Sequence, residues 1–101
     1  MLAIGGVGVV SVTSHLVGKD IKAMHTAFFG GQLTEAIRLN NQMLPIIRAC
    51  FQPTTPSPAP LKAGLNLLGL EVGGLRLPLV EANEKERGVI RAALADYGFT
   101  V

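Results

Sequence analysis

The hydrophobic positions near the start of the chain form one continuous run. Residues 7–12 are rich in β-branched valine and apolar on both faces, which is typical of a strand buried inside a parallel sheet. Residues 1–4 fit the last turn of a helix that ends at Gly5. A buried strand needs strands on both sides, because its backbone N–H and C=O groups must be paired. No second convincing strand follows, so we expect the other strands of the sheet to lie outside this sequence.

The spacing of apolar residues becomes helical beyond this run. Ile21, Met24 and Phe28 recur three and four positions apart and predict one face of a helix over residues 18–29, which a glycine pair then ends. A longer helix is predicted over residues 33–51, and the proline inside it is expected to cause a kink. The predicted apolar side of the longer helix comprises Leu33, Ala36, Ile37, Met43, Leu44, Ile47 and Phe51.

Proline and glycine divide the rest of the chain. Four of the six prolines fall within residues 52–60, which predicts an extended connector. A third helix over residues 59–68 tolerates Pro60, because a first-turn amide has no intrahelical partner. Residues 72–79 contain two glycines and a proline and predict an irregular loop. The apolar face predicted for the third helix is Leu61, Leu65 and Leu68.

The last helix has the clearest boundaries. Asn83 is a good N-cap, and Glu86, three residues later, completes a variant of the capping box. Glu84 and Glu86 place negative charge at the positive end of the helix dipole, and Gly98 is the expected stop. The apolar stripe of this helix is Val89, Ile90, Ala93, Leu94 and Tyr97. The pattern as a whole predicts one buried strand followed by four helices.

The composition agrees with a chain that is incomplete as a folding unit. It is 49% hydrophobic and only 16% charged, against about 25% charged in average globular domains. So little polar surface indicates that some apolar faces are covered by other segments or subunits. The net charge of +2 and the absence of a basic cluster argue against nucleic acid. The apolar start has no basic region before it and is shorter than the roughly 20 residues of a membrane span, which argues against a signal peptide and a membrane.

Few residues are candidates for chemistry. His15 and His25 have no third ligand at a useful spacing, so no metal site is expected. Cys50 is the one cysteine, and we interpret it as a small buried hydrophobic residue. Lys62 follows apolar neighbours, and a desolvated lysine can form an imine. Tyr97 is expected to pack in the core.

The glycines of residues 5–8 do not predict a nucleotide site. A dinucleotide pattern that started at Gly6 would need a glycine at position 11, which is Ser11. Gly5 and Gly6 also precede the predicted strand, whereas a phosphate-binding loop follows its strand. No cofactor is therefore expected from the sequence.

The order of several segments resembles one enzyme family, that of dihydrodipicolinate synthase and N-acetylneuraminate lyase. Residues 5–12 (GGVGVVSV) resemble its last barrel strand. The other segments that resemble the family, in order, are Glu35-Ala36 with Arg38-Leu39-Asn40, Met43-Leu44-Pro45, residues 58–63 (PAPLKA), residues 75–80 (LRLPLV) and Arg91-Ala92-Ala93-Leu94. Together they cover nearly the whole sequence.

The resemblance implies an α/β fold class. This chain would be the C-terminal fragment of a (β/α)8 TIM barrel, with one barrel strand followed by about four helices, and mostly α as it stands. Residues 1–17 would form the end of the barrel, and residues 18–101 the last barrel helix and a C-terminal helical extension. Full-length members are about 300 residues long and usually form cytoplasmic homo-tetramers.

The resemblance also implies the chemistry of a lyase. The synthase condenses pyruvate with aspartate semialdehyde in lysine and diaminopimelate biosynthesis, through a Schiff base on a barrel lysine and without a cofactor. That lysine and the tyrosine relay belong to parts of the family pattern that this sequence does not include, so no catalytic residue and no activity of the chain alone are expected. The position beside the pyruvate adduct falls on Val10, and the position of Lys62 lies in the helical extension, away from the reacting carbonyl.

Two alternatives remain open at this point. One is another pyruvate-dependent aldolase of the same family, of the N-acetylneuraminate or 2-keto-3-deoxygluconate type, because the residues that select the second substrate are not in this sequence. The other is a non-catalytic helical module that binds a partner through its apolar faces. Residues 7–12 distinguish the module from the barrel fragment, since a self-sufficient module would keep this run covered.

Overall fold

The computed structural model describes all 101 residues and contains helices and loops but no β-strand. A short 3-10 helix at Leu2–Ile4 ends at Gly5, whose φ of 96° is left-handed, in agreement with the predicted closed turn. No helix combines the length and the apolar character that crossing a membrane would require. The four α-helices that follow are α1 (Ser14–Phe29), α2 (Leu33–Cys50), α3 (Ala59–Leu67) and α4 (Glu84–Tyr97).

The strand predicted at residues 7–12 is not formed. Residues 6–11 have no regular secondary structure. The physical reason is that a strand is defined by pairing with its neighbours, and no other strand exists in the chain to pair with it. The sequence pattern thus identified an element that this polypeptide cannot complete by itself.

Helix α1 begins at Ser14 rather than at Gly18, where its regular periodicity was predicted to start. The backbone amides of Leu16 and Val17 both donate to the carbonyl of Thr13, at 3.0 and 3.0 Å. Val17 itself has non-helical angles, φ −123° and ψ 30°, which interrupt the helix. Residues 14–17 therefore form a separate first turn, and the regular helix begins after the kink, at Gly18, as its apolar spacing predicted.

The chain divides into two compact units, residues 1–44 and residues 45–101. In the first unit, two of the residues predicted to be buried on α2, Leu33 and Ile37, are more than half exposed, whereas Leu39 is buried. The buried face of α2 is therefore rotated from the predicted one. The buried residues of the first unit are Thr13, Leu16, Val17, Ala27, Ala36, Leu39 and Met43.

In the second unit, α3 and α4 pack against each other. The side-chain amide of Gln52 donates to the carbonyls of Ala49 and Glu86, at 2.9 and 3.0 Å, and so connects the end of α2 to the first turn of α4. Phe51, predicted to be buried, is half exposed. The buried apolar residues of this unit are Ile46, Ala49, Cys50, Ala59, Pro60, Leu61, Leu65, Ala82, Ile90, Ala93 and Leu94.

The boundaries of α4 are those that the sequence predicts. The Asn83 side chain accepts from the Glu86 amide at 3.0 Å, and the Glu86 carboxylate accepts from the Asn83 amide at 2.8 Å. This is the complete capping box, and Glu86 is buried in it. Gly98 ends the helix with a left-handed φ of 108°. Local capping chemistry alone therefore specifies where this helix starts and stops.

Substitution Asn83→Ala is expected to lower the free energy of unfolding of the second unit by about 0.5–2 kcal/mol, because it removes the acceptor for an amide in the first turn. Urea unfolding followed by the fluorescence of Tyr97, the only tyrosine in a chain without tryptophan, measures this change. Asn83→Asp keeps an acceptor and is the matched control. Equal losses in both variants would contradict a role for the cap.

Candidate functional site

The segment that the sequence connects with an active site is residues 7–12, here called the ribbon. Val7 is 89% exposed, Val9 is largely exposed and Val10 is fully exposed. None of the backbone N–H groups of the ribbon has a hydrogen-bond partner, and neither do the C=O groups of residues 7–10. The ribbon therefore presents both apolar side chains and unpaired backbone groups.

A cluster of hydroxyl groups fixes the end of the ribbon. The Ser11 and Thr13 hydroxyls lie 3.0 Å apart in a hydrogen bond, and the Ser14 amide donates to Ser11 Oγ at 3.2 Å. The Ser14 hydroxyl donates in turn to the Ser11 carbonyl at 2.7 Å. Thr13 is buried. These contacts anchor the ribbon to the start of α1 just after Val10.

The amine of Lys62 is hydrogen-bonded and is not a free nucleophile. It is on α3, and its Nζ donates a hydrogen bond to the carbonyl of Gly74. Asn66, one turn later, donates to the Gly73 carbonyl at 3.2 Å and accepts from the Val72 amide at 3.0 Å. One face of α3 thus holds the loop around residues 72–74. Lys62 therefore makes a structural contact within the helical part of the chain.

The loop held by α3 approaches another segment closely. A Cβ added to Gly74 would lie 2.7 Å from a carboxylate oxygen of Glu81. Residues of α3, of this loop, of the segment at Glu81 and of α4 line a small cleft of about 40 Å³.

The remaining titratable residues form no reactive group. No cluster of three metal-binding side chains exists in the structure. His25 Nδ1 lies 2.7 Å from the Ile21 carbonyl one turn earlier on α1, and His15 is exposed. Burial raises the pKa of the Cys50 thiol to about 11 and so disfavours the thiolate. The hydrogen bond from the Arg38 guanidinium holds the pKa of the exposed Glu35 carboxyl below its usual value.

The structure also defines the surroundings of two other features of the sequence, the glycines of residues 5–8 and Tyr97. Gly5 and Gly6 stand between the 3-10 helix and the ribbon, and Gly8 is in the ribbon. The next helix begins only at Ser14, so these glycines do not form a helix N-terminal phosphate loop. Tyr97 is half-buried, with its ring stacked at 5.8 Å on Phe99. Tyr97 therefore does not reach the core position expected for it, and its ring packs on Phe99 at the end of α4 instead.

The sequence analysis did not predict two polar clusters. One is the set of hydroxyl side chains at residues 11–14, and the other is the set of contacts between Asn66 and the loop. Serine and threonine directly before a helix are a known capping signal, and this signal was available in the sequence. The position of Asn66, four residues after Lys62, places both side chains on the same helix face. The segment that they bind could not be identified from spacing, because it depends on how the loop folds back.

Comparison with known proteins gives one consistent result. The model of the dihydrodipicolinate synthetase family matches residues 1–97. The 4-hydroxy-tetrahydrodipicolinate synthase of Dehalococcoides mccartyi strain ATCC BAA-2266 is 48% identical over 97 residues, which are 96% of this chain and 32% of that protein. The synthase of Heliobacterium modesticaldum is 47% identical over 98 residues, 97% of this chain and 32% of that protein.

Solved structures give the same result for the fold. The dihydrodipicolinate synthase of Thermotoga maritima has a TM-score of 0.91 and 36% identity, over 98% of this chain and 33% of that one. The synthase of Cyanidioschyzon merolae with lysine bound has a TM-score of 0.92 and 37% identity, over 98% and 33%. The chain spans about a third of the length of the relatives that it matches. The expected fold class, a fragment of this barrel family, is confirmed.

Proposed function

Since the chain belongs to the dihydrodipicolinate synthetase family, we propose that it forms the C-terminal third of a 4-hydroxy-tetrahydrodipicolinate synthase. The ribbon carries this proposal. It is an apolar segment whose backbone groups have no partner, in a chain that spans about a third of its relatives' length. In the complete enzyme the ribbon is the last barrel strand, and strands on both sides pair with it.

The proposed reaction is the condensation of pyruvate with aspartate semialdehyde through a Schiff base. The amine that forms this Schiff base is not in this chain. Lys62 is not a substitute for it, because its Nζ is hydrogen-bonded to the Gly74 carbonyl on the helical part of the chain. The 101 residues alone are therefore inactive, and they contribute to a lyase by completing its barrel.

Val10 is the residue proposed to contact pyruvate. Active sites of such barrels lie at the C-terminal ends of the strands, and Val10 stands near that end of the ribbon. The hydroxyl contacts between Ser11 and Ser14 fix the backbone directly after it. In this proposal residues 1–17 form the end of the barrel, and residues 18–101 form the last barrel helix and the helical extension.

The exposed apolar residues of the helices support a larger assembly. Phe29, Leu33 and Ile37 are each more than half exposed, at the end of α1 and on the first turns of α2. In the proposed enzyme this surface packs against the barrel or a neighbouring subunit of a homo-tetramer in the cytoplasm. The sugar-acid aldolase alternative is less well supported, because the relatives described above carry the name of the synthase.

The proposal is tested by reconstitution. The N-terminal two thirds of the Dehalococcoides mccartyi synthase, ending where its match to this chain begins, are co-expressed with the 101 residues. We expect turnover of pyruvate and aspartate semialdehyde by the co-purified pair and none by either part alone, because only the pair has both the Schiff-base amine and a closed barrel. Turnover by the 101 residues alone, or a folded pair without activity, would refute the proposal.

The role of Val10 is measured in the same reconstituted pair. Val10→Ala is expected to raise the KM for pyruvate about tenfold, since it removes apolar contact at the substrate. Val9→Ala is the matched control, because successive side chains of a strand point to opposite faces. If both variants change KM equally, Val10 acts only by packing in the barrel.

A further inference from the structure

Thr13 connects the ribbon to α1 through both its backbone and its side chain. Its carbonyl accepts from the amides of Leu16 and Val17, at 3.0 and 3.0 Å, and both of these residues are buried. Thr13 is itself only 4% exposed, and its hydroxyl lies 3.0 Å from the Ser11 hydroxyl in a hydrogen bond. The helix therefore fixes the backbone of Thr13, and the hydroxyl of Thr13 reaches back to the segment before it.

The Thr13 hydroxyl does not cap the helix. A threonine at an N-cap ordinarily has an extended backbone, and its side-chain oxygen accepts from an amide in the first turn. Thr13 is the N-cap of α1, but its φ of −69° and ψ of −14° are helical, and its side chain makes no capping hydrogen bond. The hydroxyl is bonded to Ser11 instead, so it constrains the end of the ribbon.

Ser11 directly follows Val10, and three hydrogen bonds fix it. Besides the bond with Thr13, its Oγ accepts from the Ser14 amide at 3.2 Å, and its carbonyl accepts from the Ser14 hydroxyl at 2.7 Å. Ser14 is exposed and Thr13 is buried, so the bond with Thr13 is the one best shielded from water. In a strand, successive side chains point to opposite faces. The Ser11 hydroxyl can therefore hold Val10 in place without touching the substrate.

We propose that Thr13 is a positioning residue for pyruvate. Its hydroxyl holds Ser11, and Ser11 sets the backbone direction that brings Val10 to the substrate. This inference rests on the proposed function, because Thr13 acts only through the contact between Val10 and pyruvate. Apolar contact weakens steeply when two surfaces move apart by a fraction of an ångström. Loss of the Thr13 hydroxyl should therefore raise the KM for pyruvate and leave kcat unchanged.

Thr13→Val in the reconstituted pair tests this, because valine has nearly the shape of threonine but no hydroxyl. We expect the KM for pyruvate to rise about two- to tenfold, the factor that corresponds to one hydrogen bond between neutral groups. Thr13→Ser keeps the hydroxyl and loses a buried methyl group, so it should lower stability and keep the KM of the unmodified pair. Thr55→Val removes a buried threonine hydroxyl from the second unit and is the matched control, with no change expected in KM.

A double-mutant cycle with Val10→Ala separates positioning from general destabilisation. Once the Val10 side chain is truncated, the Thr13 hydroxyl has no substrate contact left to position. Thr13→Val should then change the KM for pyruvate by less than about twofold in the Val10→Ala pair. Equal effects of Thr13→Val in both backgrounds overturn the proposal, and so does a Thr13→Ser variant whose KM rises as much as that of Thr13→Val.

The same measurements distinguish this inference from the function on which it rests. An inactive folded pair, or Val10→Ala without effect on KM, refutes the pyruvate contact, and the role of Thr13 falls with it. An active pair that responds to Val10→Ala but not to Thr13→Val refutes this inference alone. Ser11→Ala removes the same hydrogen bond from the other side, leaves the buried Thr13 in place and should raise KM at least as much. It decides the question where far-UV circular dichroism shows that Thr13→Val does not fold.

Discussion

Ile90→Ala is expected to lower the free energy of unfolding of the second unit by about 2–5 kcal/mol. Ile90 is on the buried face of α4, has no exposed surface and lies in the unit where α3 and α4 pack together. Truncation removes apolar contact and leaves a cavity that rigid helices fill only in part. Urea denaturation followed by Tyr97 fluorescence measures the loss, because Tyr97 is on the same helix.

The neighbouring residue provides the control. Val89 is 44% exposed and is followed directly by Ile90 on α4. Val89→Ala removes a similar amount of side chain, but from the surface, and alanine has the higher helix propensity. Its effect should stay within about 0.5 kcal/mol. Equal losses for the two variants would show that α4 does not bury the face described here.

Raising the pH from 9 to 11 is expected to reduce the stability that Cys50 contributes by an amount on the order of 2 kcal/mol. Cys50 has no exposed surface, and burial raises the pKa of its thiol from 9.0 to about 11. Because the folded-state pKa lies above the unfolded value, the neutral thiol stabilises the fold fully below about pH 9. This contribution is lost as the pH rises toward 11, since the unfolded chain ionises first.

The measurement is the difference in unfolding free energy between the unmodified chain and Cys50→Ala, at several pH values between 7 and 11. Alanine does not titrate, so the difference should shrink as the pH rises. Far-UV circular dichroism is the suitable probe, because tyrosine itself ionises near pH 10. Val89→Ala, compared in the same way, should differ from the unmodified chain by a constant amount. A constant difference for Cys50→Ala as well would show that its thiol is not desolvated.

The parts of the fold that depend on local chemistry could be predicted from the sequence. Asn83, Glu86 and Gly98 define α4 through hydrogen bonds within four residues of each helix end, and all three act as expected. Pro60 likewise stands in the first turn of α3. In each case the residue that carries the signal and the group that it satisfies are neighbours in sequence.

Prediction failed where the outcome depends on distant partners. The apolar pattern of α2 allows two overlapping faces, one through Leu33 and Ile37 and another through Leu39 and Ile46. Periodicity alone does not say which of them is covered, and the structure buries the second. The ribbon has the same problem in a stronger form, because its strand character is present in the sequence but the partners that would complete it are not in the chain.

The candidate site was predicted by resemblance more than by chemistry. No spacing of histidines, cysteines or carboxylates in the chain indicates a reaction, and the structure brings no three metal-binding side chains together. Val10 was singled out by its position in a family pattern. An exposed valine in an unpaired segment has no chemical signature of its own, so chemistry alone could not have identified it.

The two hydrogen bonds of Gln52 have a consequence for how the chain tolerates change in length. The Gln52 side-chain amide donates to both the Ala49 and the Glu86 carbonyl. It thereby closes the residues between the end of α2 and the start of α4, including the proline-rich connector, into a ring. The entropy of closing a flexible ring grows only with the logarithm of its length, by ~0.6 kcal/mol for a doubling. Insertions in that connector should therefore weaken this closure only slightly, whereas replacing Gln52 removes both hydrogen bonds whatever the length of the connector.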